Sequence, residues 1–222
     1  QRIISKLKMK IKAILFDFDG VLADTMEDNL LAWKKAFRDY GLEIKREDYF
    51  SLEGMKLIKI AEIISEKYNI KVNLEEIVEL KNKYNLQEHK FLFYPGVVDL
   101  VDWLKEKGLR LAVVSASPRE KLEKTVSNKF LGKFDVIISG DESEKGKPDP
   151  EPYLNASGEL RVNPEECLVI ENAPLGIKSA KAAGMHCIAI CSTLEKRYLM
   201  EADEIIEKIE DLAKRIMYSE YI

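Results

Sequence analysis

The stretch that decides the fold is ILFDFDGVLADT, residues 14–25. In it, a short apolar run leads directly into two aspartates, Asp17 and Asp19, which are followed by a glycine and a third carboxylate at Asp24. An uninterrupted apolar run of this kind is typical of a strand that is buried on both faces, as in a parallel sheet. Because like charges at the end of a buried strand repel one another, the pattern indicates a site that binds a cation.

Further short runs of apolar, often β-branched residues alternate along the chain with longer helical patterns. We predict strands at residues 13–16, 110–115, 136–139, 167–170, 187–190 and 204–206. Glycines such as Gly108 and Gly184 end the helical patterns just before a strand begins. This alternation predicts an α/β fold with a doubly wound parallel sheet.

The segment 24–93 breaks the alternation, because it carries helical patterns and no strand-like run. Its length far exceeds the ~2–6 residues that usually connect elements in α/β units. The sequence therefore predicts an α/β core formed by residues 1–23 and 94–222, with residues 24–93 inserted as an all-helical domain. Ligands of open α/β sheets bind beyond the carboxyl ends of the strands. We therefore expect the insertion to cover the site as a cap, with hinges near residues 23–24 and 93–95.

Composition limits the classes of partner. The 222 residues carry a formal net charge of −4, which gives no electrostatic basis for binding nucleic acid. No apolar stretch approaches the ~20 residues that would span a bilayer, so no membrane partner is expected. The three cysteines fit neither a zinc pattern nor a disulfide framework, which favours a reducing, cytoplasmic location. We expect a monomer or a weak homo-oligomer, and we interpret residues 1–8 as an extension that precedes Met9.

Polar residues follow several of the predicted strands. They are Asp17 and Asp19, Ser115, Lys147, and the pair Glu171 and Asn172. Each has a common structural explanation when taken singly, such as a helix cap or a solvated charge. Together they would meet at one edge of a parallel sheet, where the carboxylates require a cation that binds oxygen, such as Mg²⁺. A carboxylate can attack phosphorus, and a second carboxylate can act as general acid and base, so the set favours phosphoryl transfer.

These residues resemble the four motifs of the haloacid dehalogenase superfamily. The motifs are Asp17-Phe18-Asp19-Gly20-Val21, Ser115, Lys147-Pro148 and Glu171-Asn172, and they occur in the superfamily's order. The helical insertion is similar to the cap of the phosphatase and beta-phosphoglucomutase-like members. The resemblance implies a Rossmann-like core in which Asp17 is the nucleophile and a ligand of Mg²⁺. It also implies that Asp19 is the general acid and base, with its backbone carbonyl on the metal, which argues against the dehalogenase branch.

The resemblance assigns roles to the remaining motif residues as well. Ser115 and the backbone N–H of Ala116 would bind the phosphoryl group, and Lys147 would neutralise the nucleophile and the phosphate. Glu171 and Asn172 would complete the shell of the metal, directly or through water. Relatives commonly have Glu-Asp where this chain has Glu171-Asn172. Because an asparagine removes one negative charge, we expect weaker Mg²⁺ affinity than in the Glu-Asp relatives.

The cap also departs from the beta-phosphoglucomutase-like pattern. Asn29, Glu53 and Leu57 stand where that pattern has a histidine, a lysine and an arginine. Without those cations a second phosphate is harder to hold, so hydrolysis is favoured over mutase chemistry. We predict that Lys56 and Lys81 bind substrate. Trp33 and Met55 are further candidates, with a place in the core of the cap as the alternative for both.

The sequence therefore predicts a Mg²⁺-dependent phosphatase that acts on a small phosphomonoester, such as a sugar phosphate or phosphoglycolate, through an aspartyl-phosphate. One alternative is a sugar phosphomutase of the beta-phosphoglucomutase type. A phospho-signalling receiver module is disfavoured by the Asp-x-Asp spacing and the large insertion. A non-catalytic phosphate- or metal-binding protein with a degenerate site is favoured only by Asn172.

Overall fold

A computed structural model of the chain describes residues 10–88 and 91–218, and six strands in it form one sheet. The strands are β1 (Ala13–Phe16), β2 (Arg110–Val114), β3 (Val136–Ile138), β4 (Cys167–Glu171), β5 (His186–Ile190) and β6 (Glu204–Ile206). All neighbouring strands are parallel, in the order β3-β2-β1-β4-β5-β6. This confirms the predicted doubly wound α/β fold. The chain winds in one direction from β1 to β3 and in the other from β4 to β6, so a crevice opens between the carboxyl ends of β1 and β4.

Helices cover both faces of the sheet. Those of the core are α5 (Val97–Glu106), α6 (Arg119–Thr125), α7 (Asn128–Leu131), α8 (Glu151–Leu160), α9 (Pro174–Ala182) and α10 (Glu210–Tyr218). Alternate residues of β1 point to opposite faces: Ile14 and Phe16 pack with residues of α5 and α10, whereas Ala13 and Leu15 pack with residues of α8 and α9. Because both faces of the strands are buried, their sequence is continuously apolar rather than alternating.

Four helices lie between β1 and α5. They are α1 (Met26–Arg38), α2 (Arg46–Phe50), α3 (Leu57–Lys67) and α4 (Leu74–Glu88). They bury an apolar cluster of their own, in which the rings of Trp33 and Phe37, four residues apart on α1, stack with centroids 5.8 Å apart. Ala23 and Phe93 pair as an isolated antiparallel bridge, which brings the two ends of this segment together. The domain boundaries at 23/24 and 93/94 stay a prediction.

Other predictions concern the ends of the chain, its cysteines and membranes. The proposed extension over residues 1–8 and the start at Met9 lie outside the described residues. Cys167 and Cys187 are buried, Cys191 is half-buried, and all three are free thiols. Among the helices of residues 10–88 and 91–218, none combines the length and the apolar character needed to cross a bilayer.

Candidate active site

A buried ion-pair network lies at the crevice between β1 and β4. Asp17 directly follows β1, and Glu171 ends β4. Lys147, from the loop before α8, places its Nζ 2.5 Å from Asp17 Oδ1 and 2.6 Å from Glu171 Oε1. The same ammonium donates to the carbonyl oxygen of Val114, at 3.2 Å, where β2 ends. One buried cation therefore joins the carboxyl ends of three strands.

The charges of this network do not balance. Burial lowers the pKa of Lys147, but the two adjacent carboxylates raise it by more, so the lysine is protonated. Burial also raises the pKa of Asp17, as does the charge of Glu171, and Lys147 opposes them only in part, which leaves that pKa at about 8. One ammonium cannot neutralise two buried carboxylates, and a further cation would lower the pKa of Asp17 again.

The carboxylate of Glu171 is fully engaged within the protein. Oε1 accepts from Lys147 and, at 2.8 Å, from the hydroxyl of Tyr153. Oε2 accepts the backbone N–H groups of Asn172 and Ala173, at 3.0 and 3.2 Å. A carboxylate oxygen has about two lone pairs. These four hydrogen bonds therefore leave Glu171 without a free lone pair for a direct bond to a cation.

Gly176, in the first turn of α9, makes room for Glu171. A Cβ at this position would lie 1.8 Å from Glu171 Oε1 and 2.0 Å from its carboxyl carbon. Any side chain at residue 176 would therefore displace the carboxylate from Lys147. The glycine is required by this close approach, because its helical position alone would favour alanine.

The carboxylate of Asp19 is held by side chains from the cap segment and the core. Thr25 and Asn29 donate to Oδ1, the latter at 3.0 Å, and the hydroxyl of Ser117 donates to Oδ2 at 3.2 Å. Burial raises the pKa of Asp19, but the charge of Lys121, the hydrogen bond from Thr25 and the other nearby donors outweigh it, so the pKa is lowered overall. Without substrate, Asp19 is therefore ionised at neutral pH.

Two lysines meet at Asn29, next to Asp19. Lys81, on α4, donates to Asn29 Oδ1 at 2.9 Å, and Lys121, on α6, donates to the same oxygen at 3.2 Å. Lys81 is buried, and burial followed by the charge of Lys121 holds its pKa well below the usual value. The predicted substrate ligand Lys81 thus contacts the residue that positions Asp19.

Ser115 and Ala116 follow β2 and face the site from the side opposite to Asn172. Ser115 Oγ accepts the backbone N–H of Ser117 at 3.1 Å, which fixes the turn that follows β2. Ser115 and Ala116 line a narrow cavity together with Lys147 and Lys56. The ammonium of Lys56 donates to the carbonyl oxygen of Ser143, which fastens the cap segment to the core at this point.

A second cavity, of about 30 Å³, lies between the cap helices and the core. The core contributes Asp17, Asp19, Ala116 and Ser117, and the inserted segment contributes Asn29, Tyr49, Glu53, Gly54, Met55, Leu57, Ile60 and Lys81. Met55 is therefore at the cavity. Trp33 is fully buried in the cluster of the cap helices, as its alternative interpretation expected.

A carboxylate from the cap segment reaches into the site. Glu53, in the loop between α2 and α3, accepts a hydrogen bond of 2.7 Å from Asn172 Nδ2. The same amide nitrogen donates to Thr193 Oγ1 at 2.9 Å and packs on Gly20, where a Cβ would lie 2.1 Å away. Burial and the charge of Asp17 raise the pKa of Glu53 well above its usual value.

The residues present fit a magnesium ion. In the part of the chain that the structure describes, the buried atoms Asn172 Oδ1 and Glu53 Oε2 have no hydrogen-bond partner. No three His, Cys, Asp or Glu side chains converge there as a cluster that could hold a metal. Mg²⁺ is typically bound through one or two carboxylates together with water and phosphate oxygens. A set of one or two carboxylates with the oxygen of Asn172 meets that requirement.

The structure thus brings together, at one edge of the sheet, all the residues predicted to carry the chemistry. They are Asp17, Asp19, Ser115, Ala116, Lys147, Glu171 and Asn172. Sequence reasoning missed Tyr153, Ser117, Lys121 and Thr193. Tyr153 follows Lys147 by six residues, and nothing in that spacing sets it apart from an ordinary core tyrosine.

Comparison with known proteins assigns the chain to a family. The sequence profile of the haloacid dehalogenase-like hydrolase family matches residues 14–190, which confirms the resemblance inferred from the four motifs. The chloroplastic protein SUPPRESSOR OF QUENCHING 1 of Arabidopsis thaliana is 32% identical over 200 residues. The match covers 87% of this chain but only 19% of that much longer relative.

Two further relatives match over nearly their whole length. The phosphorylated carbohydrates phosphatase of Thermotoga maritima is 30% identical over 220 residues, which cover 93% of this chain and 100% of the relative. A crystal structure of beta-phosphoglucomutase from Clostridium difficile superposes with a TM-score of 0.81 at 26% identity, and the match covers 95% of this chain and 97% of that one.

Proposed function

Since the chain belongs to the haloacid dehalogenase-like hydrolase family, we propose that it is a Mg²⁺-dependent phosphatase that hydrolyses a small phosphomonoester through an aspartyl-phosphate. The observation that carries the proposal is the buried pair of Asp17 and Lys147, 2.5 Å apart, beside the separately held carboxylate of Asp19. The pair supplies a nucleophile and a fixed positive charge, and Asp19 supplies a group that can move a proton.

In the first step, Asp17 attacks phosphorus. Its Oδ1 is paired with Lys147, so the attack comes from Oδ2, which forms a bond to phosphorus while the bond to the ester oxygen breaks. Asp19 gives its proton to the leaving oxygen. Ser115 and the backbone N–H of Ala116 bind the oxygens of the transferred group, and Lys147 offsets their charge. A phosphate dianion next to Asp19 raises the pKa of that carboxyl, which favours the protonated form needed here.

In the second step, Asp19 takes a proton from water, and the water oxygen displaces Asp17 from phosphorus. This releases phosphate, restores the carboxylate of Asp17 and leaves Asp19 protonated. Asp19 loses that proton to solvent once the phosphate has left. The ionised state of Asp19 in the substrate-free site is the state that this step needs. Thr25, Asn29 and Ser117 keep its two oxygens in place between the steps.

Mg²⁺, when bound, neutralises charge that develops on the phosphoryl oxygens and orients the phosphate toward Asp17. Asp17, the backbone carbonyl of Asp19 and Asn172 Oδ1 would hold it. Glu171 would act on the cation through its charge and by holding Lys147, because its own oxygens are already engaged by Lys147, Tyr153 and two backbone N–H groups.

The cavity beside Asp17 and Asp19 is small, about 30 Å³, which favours a small substrate over a bulky one. A sugar phosphate is supported by the printed name of the Thermotoga maritima relative, and phosphoglycolate is the smaller alternative. The cap residues Asn29, Glu53 and Leu57 disfavour a bisphosphate. A sugar phosphomutase is the second candidate, because the side chains of Lys81 and Lys121 meet at Asn29, next to Asp19, and would be donors to a second phosphate there.

The test is phosphate release from a panel of small phosphomonoesters, with and without Mg²⁺, by the wild type and by Asp17→Asn. Release that depends on Mg²⁺ and is lost in the variant supports the proposal, and the preferred ester defines the substrate class. Isomerised hexose phosphate without net phosphate release would favour the mutase. Bound Mg²⁺ without any turnover would favour a non-catalytic binding protein.

A further inference from the structure

A carboxylate from the cap lies directly against residue 172, the asparagine that follows β4. Glu53 Oε1 is 2.7 Å from Asn172 Nδ2, and Asn172 is fully buried. Only 4% of Glu53 is exposed, although it belongs to a loop between two cap helices. A carboxylate is thus present beside residue 172 and comes from another part of the chain.

No cationic side chain among the residues that the structure describes accounts for this buried carboxylate. Among the described residues, Glu53 makes no ion pair, and the nearby ammonium of Lys147 is already shared by Asp17 and Glu171. Burying an unpaired carboxylate beside others is costly unless it binds a proton or a cation, and a cation bound here would also satisfy the neighbouring carboxylates. If the cap loop extended into solvent, Glu53 would be hydrated and this cost would be avoided, but the loop packs on the core.

Two buried oxygen atoms without hydrogen-bond partners lie on the side chains that meet here. Asn172 Oδ1 and Glu53 Oε2 are both buried without a hydrogen bond in the described part of the chain, and they belong to side chains that contact each other. Glu53 also lines the cavity that contains Asp17 and Asp19. A hard cation prefers such oxygen atoms as ligands, and its affinity rises with the number of charged ones.

We propose that Glu53 supplies the magnesium site with the carboxylate that residue 172 lacks, so that the cap carries one ligand of the cation, bound directly or through water. The inference rests on the proposed function for the identity of the cation. It explains why Asn172 and Glu53 occur together: an aspartate at 172 would place a second carboxylate 2.7 Å from Glu53 Oε1.

The assignment couples the cation to the position of the cap. Asp17, Asp19 and Asn172 belong to the core, whereas Glu53 is on the inserted segment. A ligand that contacts both parts binds more tightly to the state in which they are together, and it stabilises that state by the same factor. Mg²⁺ therefore favours the closed cap in this protein.

The experiment is a calorimetric titration of Mg²⁺ into the wild type, Glu53→Gln, Asn172→Asp and the double variant, without substrate. Glu53→Gln keeps an oxygen that can accept the hydrogen bond from Asn172, so it removes charge with little change in shape. Glu66→Gln, an exposed position on the cap helix α3, is the matched control. Thermal unfolding without Mg²⁺ checks that every variant is folded.

We expect Glu53→Gln to weaken Mg²⁺ binding by roughly 10- to 100-fold, the usual effect of losing a ligand or its close partner. Glu66→Gln should leave it unchanged. The Mg²⁺ affinity of the double variant should return to within about threefold of the wild-type value, because one carboxylate is again present beside the site.

The inference would be overturned if Glu53→Gln bound Mg²⁺ with the affinity of the wild type and if Asn172→Asp strengthened Mg²⁺ binding equally in the wild type and in Glu53→Gln. The proposed function would stand in that case, provided that phosphate release still required Mg²⁺. A wild type that binds no Mg²⁺ would overturn both the inference and the proposed function. In that case the phosphate-release assay would show whether any activity remains without the cation.

Discussion

The hydroxyl of Tyr153 donates a hydrogen bond of 2.8 Å to Oε1 of Glu171, the same oxygen that accepts from Lys147. Tyr153 is fully buried on α8, and its ring centroid lies 5.0 Å from Lys147 Nζ. The tyrosine therefore supports the ion-pair network from the core side, away from the cavity. Tyr153 holds the carboxylate of Glu171 in place, and Glu171 in turn holds Lys147.

Replacing Tyr153 by phenylalanine tests this support. The variant removes one donor from a buried carboxylate and keeps the packing of the ring, so the free energy of unfolding should fall by about 1–3 kcal/mol. Urea denaturation measures the loss. Tyr198→Phe, at an exposed tyrosine, should change it by less than about 0.5 kcal/mol. Equal stability of the two variants would show that the hydrogen bond contributes nothing net.

Lys147→Met should be far more damaging. It leaves Asp17 and Glu171 buried without their shared cation, which should lower the free energy of unfolding by about 3–5 kcal/mol at neutral pH. The loss should grow as pH rises, because Asp17, whose pKa burial already raises, must then give up its proton without a compensating charge. Denaturation at about pH 5 and about pH 8 tests the trend, with exposed Lys129→Met as control. A loss that does not vary with pH would contradict the ionic explanation.

Gly176→Ala and Gly158→Ala form a matched pair, because both glycines lie inside helices of the core. Helix propensity alone predicts that each change stabilises the protein by up to about 1 kcal/mol. At Gly158 nothing lies within 4 Å of the new Cβ, whereas at Gly176 it would meet Glu171 Oε1 at 1.8 Å.

We therefore expect Gly158→Ala to raise the midpoint of thermal unfolding, and Gly176→Ala to lower it and to abolish phosphate release. If Gly176→Ala were as stable and active as the wild type, Glu171 would not need the position assigned to it.

Asp48 provides a pH-dependent contribution within the cap. Its buried carboxylate accepts from Lys67 and, at 2.6 Å each, from the hydroxyl of Tyr68 and the backbone N–H of Lys45. Burial raises its pKa, but these donors outweigh that effect and lower it below the unfolded value of 3.8.

A lowered pKa stabilises the fold above the unfolded pKa, and the contribution disappears as the pH falls through the folded one. Asp48→Asn should therefore cost about 1–3 kcal/mol near pH 7 and progressively less toward about pH 3. Urea denaturation across this range measures it. Asp99→Asn, at an exposed aspartate of α5, should show no such convergence, and a cost of Asp48→Asn that stays constant with pH would exclude the carboxylate as its source.

Much of the fold could be predicted because its signals are local. Each strand bound predicted from an apolar run agrees with the structure to within one residue, as for β1 (Ala13–Phe16). Strands buried on both faces need a continuous apolar sequence, and Asp17 and Ser115 directly follow such strands while Glu171 ends one. The parallel arrangement then brings Asp17, Ser115 and Glu171 to one edge, whatever their distance along the chain.

Contacts between the cap and the core could not be predicted in this way. The sequence showed Glu53 only as a position that lacks an expected lysine, and Asn172 only as a missing charge. The structure places the two side chains 2.7 Å apart, although 119 residues separate them in the chain. The expectation of weaker Mg²⁺ affinity considered residue 172 alone and stays a prediction, which the titration of the two variants tests.

The sequence by itself determined the α/β sheet, the helical insertion and the set of carboxylates, lysine and serine that follow the strands. Only the tertiary structure decided which of those groups are already paired, as Glu171 is with Lys147 and Tyr153, and which keep a free oxygen, as Asn172 and Glu53 do. The reason is physical: periodicity and strand ends are encoded by neighbouring residues, whereas hydrogen-bond partners and charge balance depend on side chains from distant segments that meet only when the core and the cap have packed.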